Sequence, residues 1–419
     1  MQVTVNASGV KGSVSAPASK SAMQRAVASA LLARGVSVIL NPSFCDDAIA
    51  AMAMAECLGA DIKRLPDRVI IKGGFKPSCN EIFCGESGLG ARMFSVLASL
   101  HNDWIEIKGS GSLLNRPVNM TSETLTQMGV EVISNNGFMP VKIKGPLQAG
   151  TSYVDGSVSS QFLSGLLTAL PVLDKDSRLI VDSLRSRQYI DLTIDVLSHF
   201  GVRLDNEEYS VFRIPGSQVY SPAEYTVEGD WSGAAFLFVL AAIAGEITVK
   251  NISYMSSQPD RHIIDILLQA GADVKIKGEM ISVKKNELNA FETDISDCPD
   301  LAPPLAVLAS FCRGKSVIRG TERLKVKESD RGEVLKHEMS KLGVKIYNYE
   351  DRIEIEGPSL IKGGRVDSHG DHRISMALTL LSVAADEKVI VTGAEAVNKS
   401  YPSFYDDIKK LGVNLIITE

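Results

Sequence analysis

The sequence predicts an α/β fold made of six repeats of about 70 residues, grouped as two domains of three repeats each. Three observations predict it. Two sets of six helices recur with the same period, the helices of one set are apolar on all sides, and those of the other set end at a glycine. The repeats are too long for a thin solenoid, whose units hold about 20–50 residues. Two three-repeat domains therefore suit the 419 residues better.

The chain begins with MQVTVNASGVKGSVS, in which apolar and polar residues alternate as they do in a strand. The last repeat, from His369 to Glu419, is shorter than the others. We therefore expect the N-terminal strand to pair within the sixth repeat, so that the chain crosses between the domains twice. This assigns residues 18–228 to the first domain and residues 1–17 plus 229–419 to the second.

The first helix of each repeat is apolar almost all round, as in SAMQRAVASALLA and AAFLFVLAAIAG, which predicts that it is buried. The second of these segments is too short to span a bilayer, which needs about 20 residues, so we expect no membrane segment. The six buried helices are predicted to begin near Ser21, Gly90, Ser160, Ser232, Ala302 and His372.

The second helix of each repeat is amphipathic, as in YIDLTIDVLSHF, and is predicted to lie outside the first. It ends at an apolar-Gly-apolar step followed by residues that favour a strand, many of them β-branched. Glycine suits that place because it adopts a left-handed backbone without steric strain. The six glycines are Gly59, Gly129, Gly201, Gly271, Gly343 and Gly412.

The composition excludes several classes of protein. Hydrophobic residues make up 45% of the chain and the formal net charge is −6, which argues against disorder and against a general nucleic-acid binder. The six cysteines form no C-x-x-C pair and the N-terminus has no apolar signal-peptide core, so we expect free thiols in a cytoplasmic protein. His369 and His372 lack further ligands nearby, so no metal site is expected. A monomer is expected because each domain can bury its own core.

Unusual polar residues gather at the starts of the predicted buried helices, where unpaired N–H groups and the helix dipole attract anions. Ser and Asp suit N-capping there, but Lys, Arg and Gln are not needed for it. These residues are Lys20, Ser21, Arg25, Arg92, Ser159, Ser160, Gln161, Asp300 and Arg373. Further basic sites lie at Arg116, Arg185–Arg187, Arg323–Arg331 and Lys399. Basic sites in a net acidic chain predict an anionic substrate with phosphate and carboxylate groups.

The chain resembles the enolpyruvyl transferase family over essentially its whole length, most specifically in the segments PASKSAMQR, VDGSVSSQFL, VKESDR, GDHRISMAL and NKSYPSF. The resemblance implies a two-domain inside-out α/β barrel, with three βαβαββ repeats around buried helices in each domain and the active site in the interdomain cleft. It implies transfer of the enolpyruvyl group of phosphoenolpyruvate to the 5-hydroxyl of shikimate 3-phosphate, on the way to chorismate. It implies no metal ion and no organic cofactor.

The resemblance also implies residue roles. Asp300 is expected to act on the shikimate hydroxyl and Glu328 on proton transfer at C3, with Lys20 sharing in the proton transfers. The residues expected to bind shikimate 3-phosphate are Lys20, Ser21, Arg25, Ser159, Ser160, Gln161, Ser186, Tyr189, Asp300 and Lys327. Those expected to bind phosphoenolpyruvate are Lys20, Gly88, Arg116, Gln161, Arg331, Arg373 and Lys399. Because both predicted domains contribute residues, closure around the substrates is expected.

Two alternatives stay open at this stage. A UDP-N-acetylglucosamine enolpyruvyl transferase would share the fold and the donor, but the loop from Lys108 to Val118 has no cysteine, which that enzyme often uses as its acid. A non-catalytic anion-binding protein on the same fold would not need Asp300 and Glu328. The chain also departs from the family pattern, with Glu86-Ser87-Gly88-Leu89 where many members have Asn-Ala-Gly-Thr and with Arg323 where an Asn is frequent.

Overall fold

The computed structural model describes residues 1–157 and 159–419 of the chain. The chain divides into two compact units, one formed by Ala18–Glu228 and the other by Met1–Pro17 together with Gly229–Glu419. Each unit encloses one hydrophobic core. Within the described residues each unit contains three four-stranded sheets. The predicted α/β class with its repeated βαβαββ pattern is thereby confirmed.

The N-terminal residues form two strands of the second unit, β1 (Gln2–Val5) and β2 (Val10–Ser15). The first unit follows. Its first repeat holds α1 (Lys20–Leu32), β3 (Val36–Leu40), α2 (Asp46–Cys57), β4 (Asp61–Arg64) and β5 (Arg68–Lys72). Its second holds β6 (Glu81–Phe83), α3 (Gly88–Ala98), β7 (Ile105–Lys108), α4 (Asn119–Gln127), β8 (Glu131–Asn135) and β9 (Phe138–Lys144). Its third holds β10 (Thr151–Asp155), α5 (Ser160–Ala169), β11 (Ser177–Asp182), α6 (Gln188–His199), β12 (Asp205–Glu207) and β13 (Val211–Ile214), before β14 (Glu224–Thr226).

The second unit continues with three further repeats. The first of them holds α7 (Trp231–Ala244), β15 (Gly245–Lys250), α8 (Ile263–Ala270), β16 (Asp273–Lys277) and β17 (Met280–Lys284). The next holds β18 (Glu292–Asp294), α9 (Ala302–Ala309), β19 (Gly314–Arg319), α10 (Arg331–Lys341), β20 (Lys345–Asn348) and β21 (Arg352–Gly357). The last holds β22 (Gly364–Asp367), α11 (His372–Ser382), β23 (Val389–Thr392), α12 (Phe404–Lys410) and β24 (Leu415–Thr418).

The sheets share one strand order. In the second repeat it is β6-β7-β9-β8, in which β6 runs parallel to β7 while β7 and β8 are antiparallel to β9. Two sheets take their parallel edge strand from a remote part of the chain. Strand β14 pairs with β3 in the first unit, and β2 pairs with β15 in the second. Each unit is therefore completed by a strand that is distant in sequence.

Strand β1 lies between β23 and β24 and is antiparallel to both. Val3 faces Val391 on one side and Ile417 on the other. Val3 and Val5 are buried while their neighbours are partly exposed, as the alternating sequence requires. The pairing of the N-terminal strand within the sixth repeat is thus confirmed.

The buried helices begin within two residues of their predicted starts. In five of them a side chain accepts a hydrogen bond from a backbone N–H of the first turn, and these residues are Ser19, Ser87, Ser159, Asp230 and Asp371. Helix α9 has no such cap and follows a 3-10 turn at Pro299–Leu301. Asp300 of that turn makes ion pairs instead, as described below. Among the described residues, no helix combines the length and the apolar character needed to cross a membrane.

The six glycines that end the outer helices all have positive φ, between 78° and 114°. This confirms the left-handed conformation predicted for them. At Gly59 the requirement is also steric, because a Cβ atom there would lie 2.6 Å from the backbone nitrogen and the carbonyl oxygen of Lys76.

Candidate active site

In the first unit, Lys20 is the first residue of α1 and lies next to the outer helix of the same repeat. Its Nζ forms an ion pair of 2.9 Å with Oδ2 of Asp47, in the first turn of α2. The side chains of both residues are largely buried. The pair fixes the ammonium group of Lys20 at the start of α1, where Ser19 caps the helix. Sequence reasoning did not find Asp47, whose only signal is its place in a Cys-Asp-Asp helix start.

Arg25 joins three helices of the first unit. Its Nε donates to Oγ1 of Thr193, and its two terminal nitrogens donate to the carbonyl oxygen of Ser21, to Oγ of Ser164 and to the carbonyl oxygen of Tyr189. The guanidinium also lies 5.9 Å from the centre of the Tyr189 ring. Burial lowers the pKa of Arg25 to about 10. Arg25 therefore organises Ser21 and Tyr189, two other residues predicted to bind substrate.

Arg92 orients Gln161. One terminal nitrogen of its buried guanidinium donates to Oε1 of Gln161 at 3.0 Å and to the carbonyl oxygen of Gly88 at 3.2 Å, and the other donates to the carbonyl oxygen of Pro117. Helices α3 and α5 and the loop that contains Arg116 are thus held by one side chain. Arg92 stood out in the sequence at a helix start, but only the structure assigns it this contact.

Gly88 and Arg116 lie in close contact. A Cβ atom on residue 88 would lie 2.9 Å from Nη1 of Arg116, so only glycine leaves room for the guanidinium in this position. Arg116 follows a 3-10 turn at Gly111–Asn115 and is buried. The carboxylate of Glu86 accepts hydrogen bonds from the backbone N–H and the hydroxyl of Ser112 in that turn. Glu86, one of the departures from the family pattern, therefore anchors the loop that presents Arg116.

Besides Ser21 in α1, the serines predicted to bind substrate lie at two loop-to-helix junctions. Ser159 caps α5, and Ser160 is buried at the first position of that helix. Ser186 is buried and has a φ of 56°, a left-handed conformation that is uncommon for serine and marks a constrained site. Its carbonyl oxygen accepts a hydrogen bond from the backbone N–H of Tyr189.

In the second unit, three cations surround Asp300. Its Oδ1 lies 2.8 Å from Nη1 of Arg331 and 3.3 Å from Nζ of Lys327, and its Oδ2 lies 2.9 Å from Nη2 of Arg373. Burial disfavours the ionised carboxylate, but Arg373, Lys327 and Arg331 outweigh it and hold the pKa of Asp300 well below its usual range. Asp300 is therefore ionised in this structure.

Arg331 connects the carboxylates of this cluster. Besides Asp300, it contacts Oε2 of Glu328 through Nη2 at 2.7 Å and Oδ2 of Asp371 through Nε at 2.8 Å. Asp371 is fully buried, caps α11 and also accepts a hydrogen bond from Oγ of Ser329. Despite burial, Asp371, Glu328 and Asp300 raise the pKa of Arg331. We call Asp300, Lys327, Glu328, Arg331, Asp371 and Arg373 the Asp300 cluster.

Lys327 has a pKa lowered to about 8, mainly by burial and against the attraction of Asp300, while Arg331 and Arg323 add repulsion. Lys399 is buried at the end of a 3-10 turn, Ala394–Lys399. Arg116 and Lys327 also directly follow 3-10 turns. A basic residue thus lies at the end of a 3-10 turn or directly after it in three repeats, a regularity that the sequence alone did not indicate.

The structure brings five predicted site residues of the second unit into the Asp300 cluster, and it adds Asp371. Arg323 donates to the carbonyl oxygen of Ser296. His369, considered above as a metal ligand, instead contacts Glu338 at 2.8 Å. The described part of the chain has no group of three or more His, Cys, Asp or Glu side chains placed to hold a metal ion.

Comparison with known proteins shows which family the chain is similar to. The sequence profile of the family described as EPSP synthase (3-phosphoshikimate 1-carboxyvinyltransferase) matches residues 5–408. A Clostridium perfringens protein named 3-phosphoshikimate 1-carboxyvinyltransferase is 39% identical over 416 residues, 98% of each chain. A Methanocorpusculum labreanum protein of the same name is 37% identical over 420 residues, 99% of each chain.

Solved structures agree with these sequence matches. An EPSP synthase from Acinetobacter baumannii superposes with a TM-score of 0.85 at 25% identity, over 100% of each chain. The enolpyruvyl transferase NikO from Streptomyces tendae shares the fold, with a TM-score of 0.81 at 15% identity over 100% of this chain and 98% of that one. The chain therefore belongs to the EPSP synthase (3-phosphoshikimate 1-carboxyvinyltransferase) family.

Proposed function

We propose that this chain transfers the enolpyruvyl group of phosphoenolpyruvate to the 5-hydroxyl of shikimate 3-phosphate and releases inorganic phosphate. The Asp300 cluster carries the proposal, because three cations in one place fit substrates with phosphate and carboxylate groups. Membership of the family supports the same activity. The test is the release of phosphate from phosphoenolpyruvate that depends on shikimate 3-phosphate.

The reaction requires proton transfer in two steps. The 5-hydroxyl oxygen bonds to C2 of phosphoenolpyruvate while the hydroxyl loses its proton and C3 gains one. The bond from C2 to the phosphate oxygen then breaks and C3 gives up a proton, which restores the double bond. A base and an acid are therefore needed near C3 and near the hydroxyl, and we assign Glu328 to C3 and Asp300 to the hydroxyl.

The contacts of Asp300 couple this base to substrate binding. A carboxylate held by three cations is a weak base, because its ionised form is already stabilised. Substrate anions compete with Asp300 for Arg331, Arg373 and Lys327. We infer that binding loosens these ion pairs and raises the pKa of Asp300, so the carboxylate becomes a better base when the hydroxyl is present.

Residues of both units serve the proposed reaction. We assign shikimate 3-phosphate to Lys20, Ser21, Arg25, Ser159, Ser160, Gln161, Ser186, Tyr189, Asp300 and Lys327. We assign phosphoenolpyruvate to Lys20, Gly88, Arg116, Gln161, Arg331, Arg373 and Lys399. The cations would also stabilise the charge that develops on the departing phosphate. We also assign Lys20 to the proton transfers, and its ion pair with Asp47 holds its ammonium group in place.

We further propose that the chain acts in the cytoplasm as a monomer. The six cysteines are free thiols, as is usual for a reducing compartment. Each unit encloses its own core, so neither needs a partner to bury apolar surface. Light scattering from the purified chain tests the oligomeric state.

Replacing Gly88 with alanine is expected to raise the KM for phosphoenolpyruvate about fivefold or more and to change kcat less. The added Cβ would lie 2.9 Å from Nη1 of Arg116, so the guanidinium must move. Steady-state kinetics with each substrate varied in turn measure the effect. Gly9→Ala, between β1 and β2 of the second unit, is the control for substitution of a glycine, because its φ is not left-handed and the nearest atom to the added Cβ is the carbonyl oxygen of Ala244 at 3.7 Å. An unchanged KM for phosphoenolpyruvate in Gly88→Ala would remove Arg116 from the donor site.

The affinity for shikimate 3-phosphate is expected to fall by up to about tenfold between about pH 7 and about pH 9. Burial lowers the pKa of Lys327 to about 8, so the empty protein loses this positive charge over that range. Binding of the phosphate favours charged Lys327 and therefore takes up a proton. Calorimetry in buffers of different ionisation enthalpy measures the uptake. Lys327→Arg stays charged and should lose most of this pH dependence, and an unaltered dependence in that variant would contradict the assignment.

A further inference from the structure

Two cysteines lie side by side at the junction between the first and second repeats. Cys57 is the last residue of α2 and is 8% exposed, whereas Cys79 lies in the extended segment before β6 and is exposed. The two side chains are near enough for Cys79 to raise the pKa of the Cys57 thiol, and Oγ of Ser78, which donates to the carbonyl oxygen of Cys57, lies 3.8 Å from the sulfur of Cys79. Neither cysteine takes part in the proposed reaction.

The backbone holds Cys79 against the end of α2. The N–H and the hydroxyl of Ser78 both donate to the carbonyl oxygen of Cys57, at 2.9 Å and 3.3 Å. The N–H of Lys76 donates to the carbonyl oxygen of Leu58. The thiol of Cys57 donates to the carbonyl oxygen of Glu81. The chain is thus tied to the end of α2 on both sides of Cys79, which holds the two cysteines in neighbouring positions, as a disulfide requires.

The two thiols differ in reactivity. Burial raises the pKa of Cys57 to about 12, and Cys79 adds to the shift, so Cys57 stays protonated near neutral pH. Cys79 is exposed and is the thiol that a dissolved oxidant reaches first. This is the arrangement of an attacking thiol beside a resolving thiol.

We propose that Cys57 and Cys79 form a redox-responsive dithiol, which a peroxide converts into a disulfide. The Cys79 thiolate attacks one oxygen of hydrogen peroxide, the O–O bond breaks, and the departing hydroxide takes up the proton that the thiol released, so that a sulfenic acid and one water form. The Cys57 sulfur then attacks the sulfenic sulfur, the S–O bond breaks, and the Cys57 proton leaves with the hydroxyl as a second water. Two thiols are oxidised and one peroxide is reduced, and a dithiol reductant reverses the change by exchange.

The disulfide would close the chain between the end of α2 and the start of the second repeat, which restricts the unfolded state and stabilises the first unit. Asp47, the partner of Lys20, lies at the opposite end of α2, about 15 Å away along the helix at 1.5 Å per residue. We therefore expect oxidation to change the stability of the protein, with turnover unchanged within about twofold.

The test treats the wild-type chain and Cys79→Ser with hydrogen peroxide, alkylates the remaining thiols after unfolding, and maps the peptides without reduction. In the wild type we expect a cross-linked peptide pair containing Cys57 and Cys79, lighter by two hydrogens than its parts. We also expect Tm to rise by about 5 °C or more and to return with dithiothreitol. Cys79→Ser should show neither change.

Cys312→Ser is the matched control, since it removes a buried thiol of the second unit and should respond to peroxide like the wild type. Cys57→Ser tests the role of Cys57 as the resolving thiol. In this variant, oxidised Cys79 has no thiol beside it and should remain a sulfenic acid or be oxidised further. The proposal is overturned if Cys57 of the oxidised wild type remains alkylatable, or if Cys79 forms only disulfides between molecules.

Discussion

Replacing Asp300 with alanine is expected to lower kcat at least about 100-fold while both substrates still bind. The substitution removes the proposed base for the 5-hydroxyl. It also releases Arg331, Arg373 and Lys327 from a carboxylate that competes with the substrates. We therefore expect KM for phosphoenolpyruvate to stay the same or to fall. Steady-state kinetics and calorimetric titration of shikimate 3-phosphate separate turnover from binding.

Asp300→Asn is the control, because it keeps the size and one oxygen acceptor but loses the charge and the ability to accept a proton. It should lose turnover about as much as alanine does. Near-normal kcat in either variant would remove Asp300 from the base role. Loss of both binding and thermal stability would instead make Asp300 a structural member of its cluster.

Replacing Arg331 with methionine is expected to lower the free energy of unfolding by about 3–5 kcal/mol and to abolish turnover. Arg331 is 1% exposed and holds Asp300, Glu328 and Asp371 at 2.7–2.8 Å. Methionine fills much of the same volume but leaves these carboxylates near one another without their shared cation. Denaturant unfolding followed by circular dichroism measures the loss, which should fall on the transition of the second unit.

The pH dependence of that loss distinguishes charge from packing. Without Arg331, the pKa of Asp300 is lowered less, because one of the three cations that hold it down is gone. The stability that this lowering supplies is present above the unfolded pKa of the carboxyl group and is lost as the pH falls, so the deficit of the variant should persist from neutral pH to about pH 4 and shrink below it. Arg331→Lys should recover part of the stability, because it returns one charge without the bidentate fork. If the free energy of unfolding of Arg331→Met lay within about 1 kcal/mol of the wild-type value, the role of Arg331 as the shared cation would be contradicted.

The local features of the fold are predictable because they depend on neighbouring residues. Apolar segments of the right period mark the buried helices, and the glycine after each outer helix takes the left-handed conformation that its place requires. The edge pairings of β2 with β15 and of β14 with β3 could not be predicted in this way, because each joins strands that are distant in sequence. A strand as short as Glu224–Thr226 carries no mark of a remote partner in its own sequence.

In the candidate active site, too, the residues could be predicted more readily than the contacts between distant parts of the chain. The identities of Asp300, Glu328 and Arg331 could be predicted from motifs, but not the contacts among them. Asp371 caps α11, and the same carboxylate also contacts Arg331, which its place before a helix does not predict. The ion pair of Asp47 with Lys20 likewise joins two helices of one repeat through tertiary packing that periodicity does not reveal.

The most direct test of the proposed function is the release of phosphate from phosphoenolpyruvate by the purified chain, with shikimate 3-phosphate and with UDP-N-acetylglucosamine as acceptors in parallel. We expect release with shikimate 3-phosphate alone, together with an enolpyruvyl ether at its 5-oxygen detected by NMR. Release only with the sugar nucleotide would contradict the assigned acceptor, and release with neither would contradict catalysis by the Asp300 cluster.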